Sequence, residues 1–380
     1  MRISPSPWTR DGGASLAVAL EVLIHGPISR SDIARRLDLS AGSITRLSTP
    51  LTESGLLVEV GERADGRAGR PSRLLDVVPE SRHFIGMKLT ADDVLGVLTD
   101  LRANVLDSVA MRLESRDPES VVDAITRATS ALSAQVESVS ALGVGIGGLI
   151  DGHGLVRSAP FLEWVDVPLG AMLEERTGLR TVVDNDLVAF TEYEHWFGAG
   201  RGVDDFAVLT LGAGIGFGLV MHNDIVVSDD SGIGLVGHWP LDPFGPVCPA
   251  GHRGCAKSVL EQGAIVTNLS TALGRTVTYD EAMTLAAEGE PAARRLVDDA
   301  GRGLGSLLAA IANLTTPKLI ILGGEGVRLV DVARAAIDEG IAAHRDPRTI
   351  PLTLVTTAGD NTEWCRGAAV LAIQRYVLDR

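Results

Sequence analysis

The chain has 380 residues, 45% hydrophobic and 22% charged, which is enough to bury more than one core, and a formal net charge of −15. No apolar run approaches the roughly 18 residues of a membrane span, and the start, Met1-Arg2-Ile3-Ser4-Pro5-Ser6-Pro7, lacks the apolar segment of a secretory leader. Three cysteines cannot form a disulfide framework without one left over, so a cytoplasmic protein with no membrane partner is expected.

The charge is uneven. Residues 1–82 hold eleven arginines against ten carboxylates and are close to neutral, so the acidity belongs to the remainder. An arginine-rich first domain before an acidic body is the asymmetry of an appended nucleic-acid module.

The first helix is expected over Ala14–Ile24, apolar at helical spacing and stopped by Gly26-Pro27. Ser29 or Ser31 caps a second helix, Asp32–Leu37, and Asp38-Leu39-Ser40 makes the turn. Ser40 caps a third, from Ala41 to about Thr49, exposing Ser43, Thr45, Arg46 and Ser48, with a kink or break expected at Pro50. Leu56–Val60 and Arg73–Val77 read as the strands of a wing whose tip carries Arg63, Arg67, Arg70 and Arg73 among glycines. Three helices followed by a hairpin make a winged helix-turn-helix over 1–82. Its third helix would present Ser40, Ser43, Thr45 and Arg46 to base edges in a major groove, and Arg67, Arg70 and Arg73 to phosphates or a minor groove. A winged helix used for protein contact is the bland alternative.

Beyond Pro79 strands and helices alternate. A hairpin of Phe84–Leu89 and Val94–Asp100 comes first, followed by strand-like runs at Leu142–Ile146, Thr181–Val183, Asp205–Leu211 and Leu319–Leu322. Helical runs lie at Pro118–Val136, Pro168–Thr177, Leu187–Trp196, Val259–Leu273 and Ala292–Asn313. This is the pattern of two α/β lobes, 83–196 with the closing helix 363–380, and 197–362. Within the second, His238 is followed ten residues later by Cys248 and seven after that by Cys255, with two glycines in the turn between the cysteines. Thiolates and an imidazole at such spacing suit a structural zinc loop. His252 or a water would be the fourth ligand, and a zinc-free loop held by packing is the alternative.

The frame Gly234-Leu235-Val236-Gly237-His238, then Cys248-Pro249-Ala250-Gly251-His252-Arg253-Gly254-Cys255-Ala256-Lys257, resembles the zinc motif of the ROK family of sugar kinases and sugar-responsive repressors. The family pattern is G-E-x-G-H, then C-x-C-G-x-x-G-C-x-E. The resemblance spans nearly the whole chain, and Gly69-Arg70-Pro71 is similar to the wing of the repressor branch. It implies an actin-like, ribonuclease-H-like sugar-kinase fold behind the winged helix, with a dimerisation surface in the second lobe. It also implies that Asp184-Asn185-Asp186 matches the family's E-N-D run, where Asn and Asp bind sugar hydroxyls and the Asp is the kinase base. His238 would face the sugar as well as the metal.

Several positions depart from the family. The phosphate loop D-x-G-G-T is replaced by Lys88-Leu89-Thr90-Ala91-Asp92, so the metal-holding carboxylate and both glycines are gone. Gly212-Ala213-Gly214 and Gly323-Gly324-Glu325-Gly326 match the later nucleotide loops and read as inherited architecture. Leu235 and Lys257 replace two glutamates, Phe161 stands where an Asn is usual, and Ala250 replaces the middle Cys.

The resemblance therefore implies a regulator, a repressor of carbohydrate metabolism by expectation, with no kinase activity and no requirement for ATP or Mg²⁺. Its partners would be palindromic double-stranded operator DNA and a carbohydrate or sugar-phosphate effector at Asn185, Asp186, His238 and Lys257, in a homodimer or homotetramer. From Lys257 and Leu235 the effector is expected to be anionic or less hydroxyl-rich than glucose, unless Lys257 pairs with Asp186 and closes an empty pocket. A regulator controlled by a protein partner and an active sugar kinase are the two alternatives.

Overall fold

The computed structural model describes residues 13–63, 72–232 and 234–378. The chain opens with α1 (Gly13–His25), β1 (Ile28–Ser29), α2 (Arg30–Arg36), α3 (Ala41–Glu53), β2 (Val58–Arg63) and β3 (Ser72–Asp76). This is the expected winged helix-turn-helix: β1 and β2 flank β3 in an antiparallel sheet behind three helices. Ser29 Oγ accepts the Asp32 amide at 3.1 Å and Ser40 Oγ accepts that of Ser43 at 3.1 Å, so each cap satisfies an orphan donor at its helix start. Val18, Val22, Leu23, Ile33, Ile44 and Leu51 form the buried centre.

Pro50 does not end α3, which continues to Glu53. The proline removes one backbone donor, but Leu51 is buried behind it, and the Thr49 and Thr52 hydroxyls bond the Thr45 and Ser48 carbonyls at 2.7 and 2.9 Å. Packing therefore overrides the local penalty.

The body continues with β4 (Phe84–Leu89), β5 (Asp93–Thr99), β6 (Val105–Arg112), α4 (Pro118–Ser133), β7 (Ala141–Ile146), β8 (Leu149–Ile150), β9 (Val156–Ala159), β10 (Trp164–Val167), α5 (Leu169–Thr177), β11 (Thr181–Asn185) and α6 (Asp186–Trp196). Next come β12 (Phe206–Leu211), β13 (Ile215–Met221), β14 (Asp224–Ile225), α7 (Ala256–Leu260), α8 (Gln262–Leu273), α9 (Tyr279–Glu288) and α10 (Pro291–Thr315). The chain ends with β15 (Leu319–Gly323), α11 (Arg328–Val332), α12 (Arg334–His344), β16 (Leu354–Thr356) and α13 (Asn361–Leu378). Among the described residues no helix is long and apolar enough to cross a membrane.

Two compact units result. The first holds residues 1–146, 150–189 and 365–380, so the winged helix and the first α/β lobe fall together; the second holds 147–149 and 190–364. The division falls inside α6.

The first unit is built on a sheet ordered β11-β7-β4-β5-β6, in which β4 pairs antiparallel with β5 and parallel with β7. Helix α13 returns to lie directly on β4 and β7. A Cβ on Gly86 would collide with the Cys365 carbonyl and the Ala369 amide, and one on Gly143 with the Ala368 carbonyl. Ala368, Ala369 and Ala372 complete this close approach. Behind the sheet, Val121, Ile125, Leu132 and Leu173 close a core in which each fully buried aliphatic contributes about 1.5–3 kcal/mol.

The second unit repeats the topology. Its sheet is ordered β14-β13-β12-β15-β16, with β12 antiparallel to β13 and parallel to β15. This is the duplicated two-lobed α/β architecture expected of an actin-like fold. One expected helix, Val259–Leu273, is divided: Glu261 is extended (φ −62°, ψ 136°), and the Gln262 amide leaves the helix to bond the Gly212 carbonyl at 3.1 Å. Strands β6 and β13 and helices α9 and α12 were not expected.

The β5–β6 turn joins the winged helix to the first sheet. Arg102 Nε donates to the Leu23 carbonyl and Nη2 to the Val22 carbonyl, both at 2.9 Å, and the guanidinium pairs with Asp76 at the end of β3. The Leu23 carbonyl near the end of α1 thereby gains a donor, and the Val22 carbonyl, which also accepts the Gly26 amide at 2.9 Å, gains a second. Gly26 makes room, since a Cβ there would stand 2.6 Å from Arg102 Nη2. Asp100, buried, holds the turn by accepting the Arg102 and Asn104 amides at 2.8 and 3.0 Å. Arg102→Ala strands Asp76 with little solvent and should cost about 3 kcal/mol, read as a lower denaturation midpoint. Arg102→Lys should recover only part, because an ammonium cannot reproduce the fork.

Candidate functional site

The exposed face of α3 carries Ala41, Gly42, Thr45, Arg46, Thr49 and Pro50, while Ile44, Ser48 and Leu51 face inward. Its small residues leave room for close approach to a surface. Of the residues expected to read bases, Ser40 is engaged in capping, with its hydroxyl also 2.9 Å from Ser43 Oγ. Thr45 Oγ1 is turned back to the Ala41 carbonyl at 3.0 Å. Arg46 extends from the exposed face and makes no ion pair among the described residues.

Arg30 fixes this helix to the wing, donating from Nε to Ser48 Oγ at 3.2 Å and from Nη2 to Glu59 Oε1 at 2.9 Å. Arg73, expected on the nucleic-acid side, donates to Glu59 Oε2 at 2.8 Å. Hydrogen bonds from Arg73 and then Arg30 hold the Glu59 carboxyl below its ordinary range. Arg67 and Arg70 lie outside the described residues.

In the first lobe, Lys88 and Asp186 form an ion pair, with side chains 12% and 17% exposed. The register explains it. Lys88 on β4 stands opposite Gly145 on β7, which pairs in turn with Asp184 on β11. The missing side chain at Gly145 opens the row, and a Cβ there would lie 3.5 Å from that of Asp186. In the second unit, Lys257 lies 3.4 Å from Glu261, one turn along its own chain segment. Burial raises the Glu261 carboxyl above its ordinary range, against the pull of Lys257. Asp186 Oδ1 accepts the Leu187 amide at 2.9 Å, and buried Asn185 accepts the Leu187 and Val188 amides at 3.0 and 3.2 Å. Both residues thus also start α6. Leu235 and Phe161 are exposed, at 64% and 49%.

The duplicated sheets allow two hairpin turns to be compared. In the second lobe, Gly212-Ala213-Gly214 joins β12 to β13, closed by one bond from the Gly212 amide to the Gly214 carbonyl at 3.1 Å. In the first, Thr90-Ala91-Asp92 joins β4 to β5 and uses its own amides. Thr90 N–H donates to the Asp93 carbonyl at 3.0 Å, and Thr90 Oγ1 accepts from Asp92 and Asp93 at 3.3 and 2.9 Å. Arg116 then donates to the Ala91 carbonyl at 3.0 Å and lies 3.4 Å from the Asp92 carboxylate. Opposite Gly212, the Glu325 carboxylate stands where a Cβ on that glycine would meet it.

A possible metal centre lies in the loop between β14 and α7. His238 closes a 3-10 turn, Leu235–His238, and Cys255 caps α7. The loop folds back through Gly254, whose φ of 56° and close approach to the Asp242 carbonyl admit no side chain. His238 Nδ1 is 3.8 Å from Cys248 Sγ and 3.1 Å from His252 Nδ1, and Cys248 Sγ is 3.7 Å from His252 Nδ1. Atoms held 2.0–2.3 Å from a tetrahedral centre lie roughly 3.3–3.8 Å apart, so these three donors fit one ion.

Cys255 Sγ is 3.9 Å from His238 Nδ1 but stands outside the tight triad, near Ser258 Oγ at 3.7 Å. His252, expected only as a candidate fourth ligand, is thus a member of the core set. Burial raises the Cys248 thiol, but hydrogen bonds from the His252 backbone and side chain, the Ala250 backbone and the Cys255 side chain outweigh it and bring the thiol to about 7. Desolvation, then the His252 and Lys257 charges, lower His238. Both directions favour the ligating forms, thiolate and neutral imidazole.

A winged helix ahead of a duplicated α/β body, with an E-N-D-like run at α6 and a His/Cys loop behind the second sheet, defines a regulator-type member of the sugar-kinase fold. The chain belongs to the ROK family: the family model matches residues 84–375. It is 26% identical to the DNA-binding transcriptional repressor Mlc of Escherichia coli (strain K12), over 92% of this chain and 90% of that protein. It is 28% identical to the DNA-binding transcriptional dual regulator NagC of the same organism, over 83% and 81%. Among solved structures, a ROK family transcriptional regulator homologous to Mlc superposes with a TM-score of 0.77 at 25% identity, covering 95% of this chain and 96% of that one. A ROK glucokinase from Streptomyces griseus, in complex with glucose and AMPPNP, superposes with a TM-score of 0.67 at 26% identity, covering 77% and 99%.

Proposed function

We propose that this protein is a cytoplasmic transcriptional regulator of carbohydrate metabolism, a repressor, that binds a palindromic operator as a homodimer or homotetramer and is released by a carbohydrate-derived effector. The observation that carries the reading is the exposed small-residue face of α3, held to the wing by Arg30, on a chain that matches a named transcriptional repressor and a named dual regulator over four-fifths or more of their length. Arg46 and Ser43 are assigned to base contact, Arg67 and Arg70 to phosphates, and Asn185 and Asp186 to effector hydroxyls. Genome-wide capture of DNA by the purified protein tests the function; failure to enrich any discrete site would reject it. On a captured site, Arg46→Ala should cost about 1–3 kcal/mol and relax sequence preference. Arg67→Ala with Arg70→Ala should instead flatten the salt dependence by roughly one log unit of slope per lost phosphate contact.

Phosphoryl transfer is absent from this reading. Thr90 engages the turn amides that would approach a nucleotide, Lys88 stands in place of the metal-holding Asp, and Asp92 and Glu325 place negative charge at the two glycine-loop positions. Coupled assay of ADP release over a broad sugar panel with Mg²⁺ should show no turnover near the ordinary enzyme range of roughly 1–10³ s⁻¹.

The metal is zinc by donor chemistry, since two imidazoles and a thiolate in a closed loop match its preference. Its part is structural, fixing His238 and the loop. Protein purified without chelator should carry about one zinc per chain. His252→Ala or Cys248→Ser should lose it and lower the melting temperature, whereas Cys255→Ser should keep more of it.

A further inference from the structure

We propose that Arg102 is a positioning residue for operator recognition: it fixes the winged helix to the first sheet, so that the two move together and a homodimer accepts a single half-site spacing. This rests on the regulatory reading above and deepens it. Three observations carry it. First, the guanidinium, with its side chain 16% exposed, bonds two carbonyls near the end of α1 and pairs with Asp76 where β3 ends, so one side chain holds both the helix and the wing. Second, the connection from β3 to β4 is itself tied down. Val77 is buried, a 3-10 turn follows at Pro79–Ser81, and the amide of buried Leu101 donates to the Pro79 carbonyl at 3.0 Å. Third, the turn that carries Arg102 is anchored from the other side. Arg366 on α13 donates to the Ala103 carbonyl at 2.8 Å, and the buried Asp100 carboxylate accepts the Asn104 side-chain amide at 2.8 Å.

The bonds from Arg102 to α1 and to Asp76 are made by a largely buried cation, and charge-assisted bonds are about twice as strong as neutral ones. Tilting the winged helix on the sheet breaks all three together and leaves the Asp76 carboxylate, 14% exposed, with little solvent in exchange. A recognition helix so mounted meets its half-site only at the angle and distance that the body sets. One base pair inserted between half-sites moves the second by roughly 3.4 Å along the duplex and turns it by roughly 34° about the axis. A tethered module absorbs that change and a fixed one does not. Neither Arg102 nor Asp76 lies on α3, so the joint acts on spacing and leaves the reading of bases to the recognition helix.

The test is a spacing series. Operators recovered by genome-wide capture are rebuilt with base pairs inserted or removed between the half-sites, and binding of the full chain to each is measured by fluorescence anisotropy, alongside a duplex that carries a single half-site. For the wild-type protein a change of one base pair should cost about ten-fold or more, falling to about three-fold or less in Arg102→Ala, with single half-site binding within about two-fold of wild type. Arg102→Lys keeps a charge for Asp76 without the fork to α1 and should fall between the two. It carries the same comparison if circular dichroism finds Arg102→Ala unfolded. Wild-type protein that tolerates the altered spacing, variants that keep the wild-type spacing dependence, or variants that lose the single half-site as well would each overturn the proposal. The two failures are distinguishable: discrete operators bound without regard to spacing keep the regulatory function and lose this inference, whereas no palindromic operator at all rejects the regulatory reading and the proposal with it.

Discussion

Everything on the first lobe follows from one close contact, that of helix α13 with the bare backbone of β4 and β7. Gly86 and Gly143 have no room for a side chain beneath the carbonyls of Cys365 and Ala368, so helix and sheet meet backbone to backbone with alanines between. Strand β4 is thereby pinned along its length, with the Cys365 thiol donating to the Leu95 carbonyl on the neighbouring strand at 3.3 Å. A strand so fixed cannot slip in register without turning its buried side chains to the wrong face. The same constraint therefore places Lys88 in line with Gly145 and within reach of Asp186.

The repeated sheet topology sets the same hairpin side by side in two lobes, with different turn residues. Both hairpins retain strand pairing throughout, and both cores are filled by aliphatic residues from sheet and helices. The difference lies in three turn residues. Glycines in the second lobe keep an open turn; threonine in the first supplies a hydroxyl that collects the amides.

Much of this was legible in the sequence for physical reasons. The apolar spacing of Val18, Val22 and Leu23, the caps at Ser29 and Ser40, and the hairpin 84–99 are local signals, and each element formed within a few residues of its reading. Strand β6 escaped because its exposed residues, Val105 to Ser108, carry no clean alternation. Pro50 misled because a single missing hydrogen bond was weighed without the burial of Leu51. At the candidate site, Asn185 and Asp186 were named through the resemblance to the family's E-N-D run, and the His/Cys loop from its spacing. The partner of Asp186 could not, since Lys88 and Asp186 meet only through the lateral register of three strands. His252 moved from a candidate to the centre of the triad through the fold of a glycine turn that spacing does not specify.

The joint at Arg102 bears on how separable the winged helix is from the body. A linker-tethered module could be cut away at residue 82 and would keep its own hydrogen bonds. Here two carbonyls near the end of α1 and the carboxylate that ends β3 take a further donor from a turn of the next domain, and Gly26 leaves room for that guanidinium. The first domain is thus incomplete as a folding unit, and exchanging it between relatives would require Gly26, Asp76 and Arg102 to travel together. The same three residues tie the posture of α1 to the edge of the sheet in which Lys88 lies, so the two ends of β4 and β5 belong to one mechanical element.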